Sequence, residues 1–261
     1  MRRPRHMAVR MVIISAMSVC TAAVLAGCAA ASPPAGARSA APALATRAGF
    51  TFTVAGVRPV PANGSQDAHT QTPDAACDSA TFSADEALGV KVANGFALAN
   101  FPVAADLLRH FLKGTGTDVD YQAGSPISRQ AMASTAFQAV NSEVQQAILS
   151  QLKAGRTRVQ LTAAHLPTVA FESTTSDLYW GFRGTQGLTV TGSGSRENGR
   201  YVGTLSYLIR DSYGFPVSDT LDGFGPPMRY LQTVCGAPGQ PGGAHWFPDS
   251  ITVTVPFSQP A

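Results

Sequence analysis

The residues best suited to do chemistry are Asp211 and Tyr213, two positions apart in a stretch that alternates apolar and polar side chains. The alternation predicts a strand with both side chains on its apolar face, where a carboxylate is either paired or functional. An ion pair or a turn-forming aspartate is the simpler interpretation. Three arginines are candidate partners: Arg183, Arg210 and Arg229. The chemical alternative is acid–base hydrolysis, in which Asp211 acts with His165 or His245.

A second candidate surface is the segment 243–248, which reads GAHWFP. It is either an exposed aromatic patch that binds a ligand or a loop that packs on the core. The candidate binding residues of the chain are therefore Asp211, Tyr213, Arg183, His245 and Trp246.

Sequence motifs of known enzyme classes are missing. The chain contains no G-x-S-x-G, no H-E-x-x-H and no paired CxxC motif. The segment Gly192–Ser195 (GSGS) falls inside a predicted strand, whereas a nucleophile elbow needs a turn from strand to helix. Four residues before position 79 are of metal-ligating types, although their spacing fits no known ligand pattern: Asp67, His69, Asp74 and Asp78. We expect no catalytic residue, metal or cofactor.

A hairpin over residues 188–215 must position Asp211. Asn198-Gly199 predicts a type I′ turn at its centre, because both turn residues need a positive φ. Pairing outward from the turn gives one apolar face: Glu197 with Arg200, Gly194 with Gly203, Gly192 with Leu205, Val190 with Tyr207, and Leu188 with Ile209. The same register predicts two further pairs: Asp211 with Gln186, and Tyr213 with Gly184. A slip of one residue would mix the two faces, so the register is well specified.

The N-terminus reads as an export signal. Four arginines precede the apolar run Met11–Ala26: Arg2, Arg3, Arg5 and Arg10. The run ends in Leu25-Ala26-Gly27-Cys28, which resembles the lipobox of bacterial lipoprotein precursors. The resemblance implies a signal peptide over residues 1–27, cleavage before Cys28 and diacylglyceryl transfer to its thiol. The alternatives are an ordinary signal peptide or an uncleaved anchor.

Cleavage of the signal would leave a tether and a globular domain, and it would lower the net charge of the chain. Residues 28–48 would be the lipidated cysteine and a flexible Ala/Pro/Ser tether, and residues 49–261 a single globular domain. The mature chain keeps 15 of the 19 basic residues against 16 acidic ones, so it is close to neutral. We therefore expect an extracytoplasmic protein anchored to the cell membrane, with no nucleic-acid partner.

Two cysteines remain in the mature domain, Cys77 and Cys235. An oxidising compartment favours a disulfide between them. The alternative is a catalytic Cys235 with His245 as its base, a pairing that matches no family signature.

The remaining patterns predict an α+β fold, a mostly antiparallel sheet built on the hairpin with helices of the first half on one face. The predicted helices are Pro102–Lys113, Ser128–Ala154 and a short one near Met228–Val234. The second of these is one kinked helix or two, with a restart at Asn141 or Ser142. The other predicted strands are Phe50–Val54, Arg158–Leu161, Leu178–Phe182 and Ile251–Phe257.

These expectations favour a non-enzymatic function. We expect a membrane-anchored envelope lipoprotein that acts as a binding or structural module, with an envelope lipid, glycan or protein as its ligand. The alternative is an envelope-acting hydrolase that uses Asp211 with a histidine.

Overall fold

The described part of the chain contains six strands and six α-helices. A computed structural model describes residues 50–59, 76–216, 223–237 and 242–261. The strands are β1 (Thr51–Arg58), β2 (Val119–Tyr121), β3 (Arg158–Leu161), β4 (Gly187–Glu197), β5 (Arg200–Tyr213) and β6 (Phe247–Pro260). The helices are α1 (Ser79–Leu98), α2 (Pro102–Leu112), α3 (Pro126–Ala133), α4 (Thr135–Lys153), α5 (Asp177–Phe182) and α6 (Gly225–Tyr230). A π-helical turn continues α6 through Leu231–Cys235.

One sheet joins all six strands in the order β2-β6-β5-β4-β1-β3. The four central strands pair antiparallel, while β2 pairs parallel with β6 and β3 parallel with β1 at the two edges. Parallel neighbours need long crossovers, and the helices between β1 and β3 lie in one of these. The fold is therefore α+β with a mostly antiparallel sheet, as the sequence predicts.

The central hairpin forms in the predicted register. Asn198 and Gly199 have φ values of 49° and 75°, as a type I′ turn requires. All five predicted pairs are confirmed, from Glu197–Arg200 to Leu188–Ile209. Four of them share the apolar face, whereas alternation puts the exposed pair Glu197–Arg200 on the opposite face. The ladder ends at Gly187–Arg210, and the Gln186 amide then donates a hydrogen bond of 2.8 Å to the Arg210 carbonyl. The two predicted pairs beyond Arg210 are therefore not part of the ladder.

The helices cover one face of the sheet only. Alternate strand residues on this face are buried: Phe52, Val54, Val190, Leu205, Tyr207, Val253 and Phe257. Apolar side chains of α2 and α4 complete the core: Leu107, Leu108, Phe111, Val144 and Ile148. The intervening strand residues are exposed and mostly hydroxylated, as in Thr53, Thr191, Thr204 and Thr254. Within the described residues the second face of the sheet is thus open to solvent.

The predicted strand Leu178–Phe182 is wrong, because these residues belong to helix α5. The Ser176 hydroxyl caps the helix by accepting a hydrogen bond of 3.2 Å from the Leu178 amide. Leu178, Gly181 and Phe182 are buried at helical spacing, so the aromatic composition that suggested a strand instead packs a short helix.

The region Ser128–Ala154 forms two helices, and the break lies at Ser134 rather than at Asn141 or Ser142. Ser134 is extended, with ψ of 145°, and its hydroxyl accepts a hydrogen bond of 3.2 Å from the Phe137 amide.

The helix α1 was not predicted. Asp78 caps it by accepting a hydrogen bond of 2.7 Å from the Thr81 amide.

The predicted disulfide between Cys77 and Cys235 is confirmed, with a Cα–Cα distance of 4.8 Å. It joins the start of α1 to the end of the π-helical turn, and the Tyr230 hydroxyl accepts a hydrogen bond of 2.8 Å from the Asp78 amide beside it. The described residues between Arg47 and Ala261 form one compact unit.

The predicted signal, the tether and the residues Asp67, His69 and Asp74 lie outside the described residues. Within the described ranges, no helix has both the length and the apolar character needed to cross a membrane.

Candidate functional site

Asp211 lies on the helix-covered face of β5, as the alternation predicts, and its direct partner on β6 is a second aspartate, Asp249. Directly opposed residues of antiparallel strands have Cβ atoms about 5 Å apart. Asp249 was not singled out in the sequence, although the alternation of β6 through Val253 and Ile251 places it on the same apolar face. The structure therefore assembles a carboxyl pair at this end of the sheet.

Asp211 is half-buried and faces the segment that follows α5. Its Oδ1 accepts a hydrogen bond of 2.8 Å from the Ser212 amide. The Gly184 backbone amide and the Arg183 charge also favour the carboxylate, but burial outweighs them and raises the pKa of Asp211 to about 7. Gly184 lies next to this carboxyl group, since a Cβ at that position would be in van der Waals contact with Asp211 Oδ1 at 3.6 Å.

Asp249 is more deeply buried, with 2% of its surface exposed. Within the described part of the chain neither of its carboxyl oxygens has a hydrogen-bond partner. Burial raises its pKa well above the usual value, and the neighbouring charges of Asp211 and then Asp120 raise it further. Desolvation and like charges act in the same direction, and both favour the uncharged form of Asp249.

Aromatic rings pack next to the carboxyl pair of Asp211 and Asp249 on the covered face of the sheet. Tyr213 is buried and stacks on Phe247 with ring centroids 5.4 Å apart. Phe111 of α2 packs on Tyr213 edge-on at 6.2 Å, and His110 packs on Phe247 edge-on at 4.5 Å. Tyr213 is thus a core residue, and it does not present a free ring to a ligand.

Of the other predicted binding residues, Arg183 lies beside Asp211. Its guanidinium lies 5.6 Å from the Tyr179 ring centroid and donates a hydrogen bond of 3.3 Å to the Tyr179 hydroxyl. His245 packs on the end of α2, where its backbone amide donates a hydrogen bond of 3.3 Å to the Phe111 carbonyl. The segment that contains His245 is therefore held on the core rather than projecting as a patch.

The structure does not assemble the predicted carboxylate–histidine dyad. The Nδ1 atom of His165 lies 3.2 Å from the backbone amide and the hydroxyl of Thr162, beyond the far edge strand β3. Three strand spacings separate β3 from β5. Within the described residues neither His165 nor His245 makes a hydrogen bond with Asp211. Cys235 is also unable to act as a nucleophile, because it is disulfide-bonded.

A cleft of about 510 Å³ lies next to the carboxyl pair, on the open face of the sheet. Most of its lining comes from the exposed positions of β2, β5 and β6. The polar lining residues are Asp118, Asp120, Gln122, Gln186, Arg210, Ser212, Ser250 and Thr252. Trp246 completes the wall with Leu208 and Pro248. Asp211 and Asp249 also border the cleft, although the alternation of their strands directs their side chains to the covered face.

The cleft can recognise a neutral polar molecule. Asp118 and Asp120 supply acceptors, Arg210 supplies donors, and the amides of Gln122 and Gln186 supply both. Some of these groups are already positioned, since the Ser250 hydroxyl donates to Asp120 and the Arg210 guanidinium lies 3.4 Å from the Thr189 hydroxyl. In the described ranges no group of three or more His, Cys, Asp or Glu side chains is arranged to hold a metal ion.

These cleft residues were largely missed from the sequence. They come from three strands, of which β2 and β6 lie more than a hundred positions apart, and β2 is only three residues long. The available signal was the polar alternation of β5 and β6, which marks the exposed face but does not reveal that β2 adds Asp118 and Asp120 beside it.

Comparison of the chain with models of protein families, with curated proteins and with solved structures finds no match.

Proposed function

We propose that the protein is a lipid-anchored, extracytoplasmic binding module that holds a hydroxyl-rich glycan of the cell envelope in the cleft on the open face of the sheet. The observation that carries the proposal is the composition of this cleft, which places carboxylates, amides, hydroxyls and one guanidinium around a half-buried tryptophan. The lipobox at Cys28 supports the envelope location.

A glycan fits this composition better than a lipid or a charged polymer does. Sugar hydroxyls both donate and accept, so they pair with carboxylates and with amides in the same site. The apolar face of a sugar ring can pack on an indole such as that of Trp246. An acyl chain would desolvate the carboxylates Asp118 and Asp120 without pairing them, at a high free-energy cost.

A hydrolase that uses Asp211 with a histidine has weaker support. Acid–base catalysis needs two titratable groups within reach of one substrate bond. Histidine is not found among the described residues that line the cleft.

Titration of the mature protein with soluble fragments of envelope polysaccharides and peptidoglycan, followed by calorimetry or NMR, tests the proposal. Arg210→Ala and Trp246→Ala should each weaken glycan binding about tenfold or more, because each removes a group from the cleft wall. Thr191→Ala is the matched control, since Thr191 is exposed on the same face but lies outside the cleft. The proposal is refuted if no fragment binds, or if all three variants bind like the wild type.

A further inference from the structure

The strands direct the side chains of Asp211 and Asp249 away from the cleft to the covered face, where they form an unfavourable polar arrangement in the described core. Two carboxyl groups face each other across neighbouring strands, and both oxygens of Asp249 lack a partner in the described part of the chain. An uncompensated buried carboxylate costs several kcal/mol, so a buried unsatisfied group calls for an explanation.

The charged and titratable groups around the pair do not neutralise two negative charges. Arg183, after α5, is the cation that acts on Asp211, and its side chain is solvent-exposed. On the other side, β2 pairs with β6 through Val119 opposite Asp249. The charge of Asp120, which lies opposite Ser250, disfavours ionisation of Asp249, and the charge of Asp249 disfavours ionisation of Tyr121. His110 of α2 contacts the Phe247 ring next to the pair. The arrangement therefore tolerates at most one negative charge.

The short strand β2 lies next to the pair at the edge of the sheet. It has three residues, none of them fully buried, and its first pair is Val119 with Asp249. Asp118, Asp120 and Gln122 of the cleft lie on or next to this strand. A change of charge at Asp249 therefore acts directly on the strand that builds one wall of the cleft.

We propose that the Asp211–Asp249 pair is a proton-operated latch, which keeps β2 against β6 while the pair carries at most one negative charge and releases this edge when both carboxyl groups are ionised. The movement of β2 would open or reshape the cleft as the pH rises. The latch itself is a property of the folded chain without ligand, whereas its consequence for glycan binding rests on the proposed function.

Hydrogen exchange of the mature, disulfide-bonded protein at pH 5.5 and pH 8.0, without ligand, tests the latch. After correction for the intrinsic exchange rates, protection of residues 119–121 should fall about tenfold or more at pH 8.0. Asp249→Asn should abolish this fall, because it removes the second charge and nearly preserves the shape. Asp211→Asn provides a second variant that should do the same if Asp249→Asn folds poorly.

Glu197→Gln is the control, since Glu197 is an exposed acid of the same sheet that lies outside the cleft and away from β2. It should keep the wild-type response to pH. Equal protection at both pH values in the wild type, or an unchanged response in both latch variants, would overturn the proposal. Because no glycan is present in this experiment, its failure is distinct from a failure of the glycan titration.

Discussion

The stability of the Asp211→Asn variant should depend on pH in a way that the geometry of the carboxyl pair allows us to calculate. Burial raises the pKa of Asp211 from 3.8 to about 7 in the folded protein. The unfolded chain releases this proton near the unperturbed value, so between these two values the folded state binds more protons. The wild type must therefore lose stability as the pH rises from about 4 to about 7.

The magnitude follows from about 1.4 kcal/mol per pKa unit. The full shift of Asp211 corresponds to about 4 kcal/mol, of which about 3 kcal/mol falls between pH 5 and pH 8. The side chain is half-buried, and solvent screening reduces this figure, so we expect about 2 kcal/mol. Asparagine cannot ionise, but its amide oxygen can still accept the hydrogen bond from Ser212. The free energy of unfolding of the variant, relative to that of the wild type, should thus rise by about 2 kcal/mol between pH 5 and pH 8.

Urea unfolding of both proteins at pH 5, 6, 7 and 8, with the disulfide intact, measures this difference. Comparing the two proteins at each pH removes the contribution of other acids whose pKa values are shifted, such as Asp78 and Asp177. Asp118→Asn should follow the wild type at every pH. A difference between Asp211→Asn and the wild type that stays constant from pH 5 to pH 8 would refute the reasoning, because it would mean that Asp211 titrates alike in both states.

Two further predictions concern the covalent features of the chain. Replacing Cys28 with Ala should release the protein from the membrane fraction; a variant that stays bound would indicate an uncleaved N-terminal anchor. Replacing both Cys77 and Cys235 with Ala should lower the free energy of unfolding by up to about 5 kcal/mol, because the disulfide joins residues 158 positions apart. Urea unfolding measures this loss. A loss below about 1 kcal/mol would show that the disulfide does not stabilise the protein by reducing the conformational entropy of the unfolded chain.

Much of the local structure followed from the sequence because it depends on neighbouring residues. An Asn-Gly turn and the alternation of apolar and polar residues on either side of it set the hairpin register. The pairing of Leu188 with Ile209 could therefore be predicted without knowledge of the rest of the fold. Helix α2 was predicted from Pro102 at its start and from apolar residues at helical spacing. The disulfide followed from having two cysteines in an exported domain.

Other features depended on contacts between distant segments. Leu178–Phe182 has the composition of a strand, but the Ser176 cap and the burial of Phe182 in the helical layer favour a helix. In the same way, Asp211 could be placed on an apolar face, but its partner depends on the pairing of β5 with β6.

The sequence by itself therefore determined which side chains share a face of each strand, because side-chain direction alternates along a strand whatever its neighbours are. Only the tertiary structure decided the strand order. The strand order in turn brings Asp211 opposite Asp249 and places β2 next to β6. The physical reason is that strand order is decided by packing of the whole apolar face against the helices, to which residues far apart in the chain contribute together.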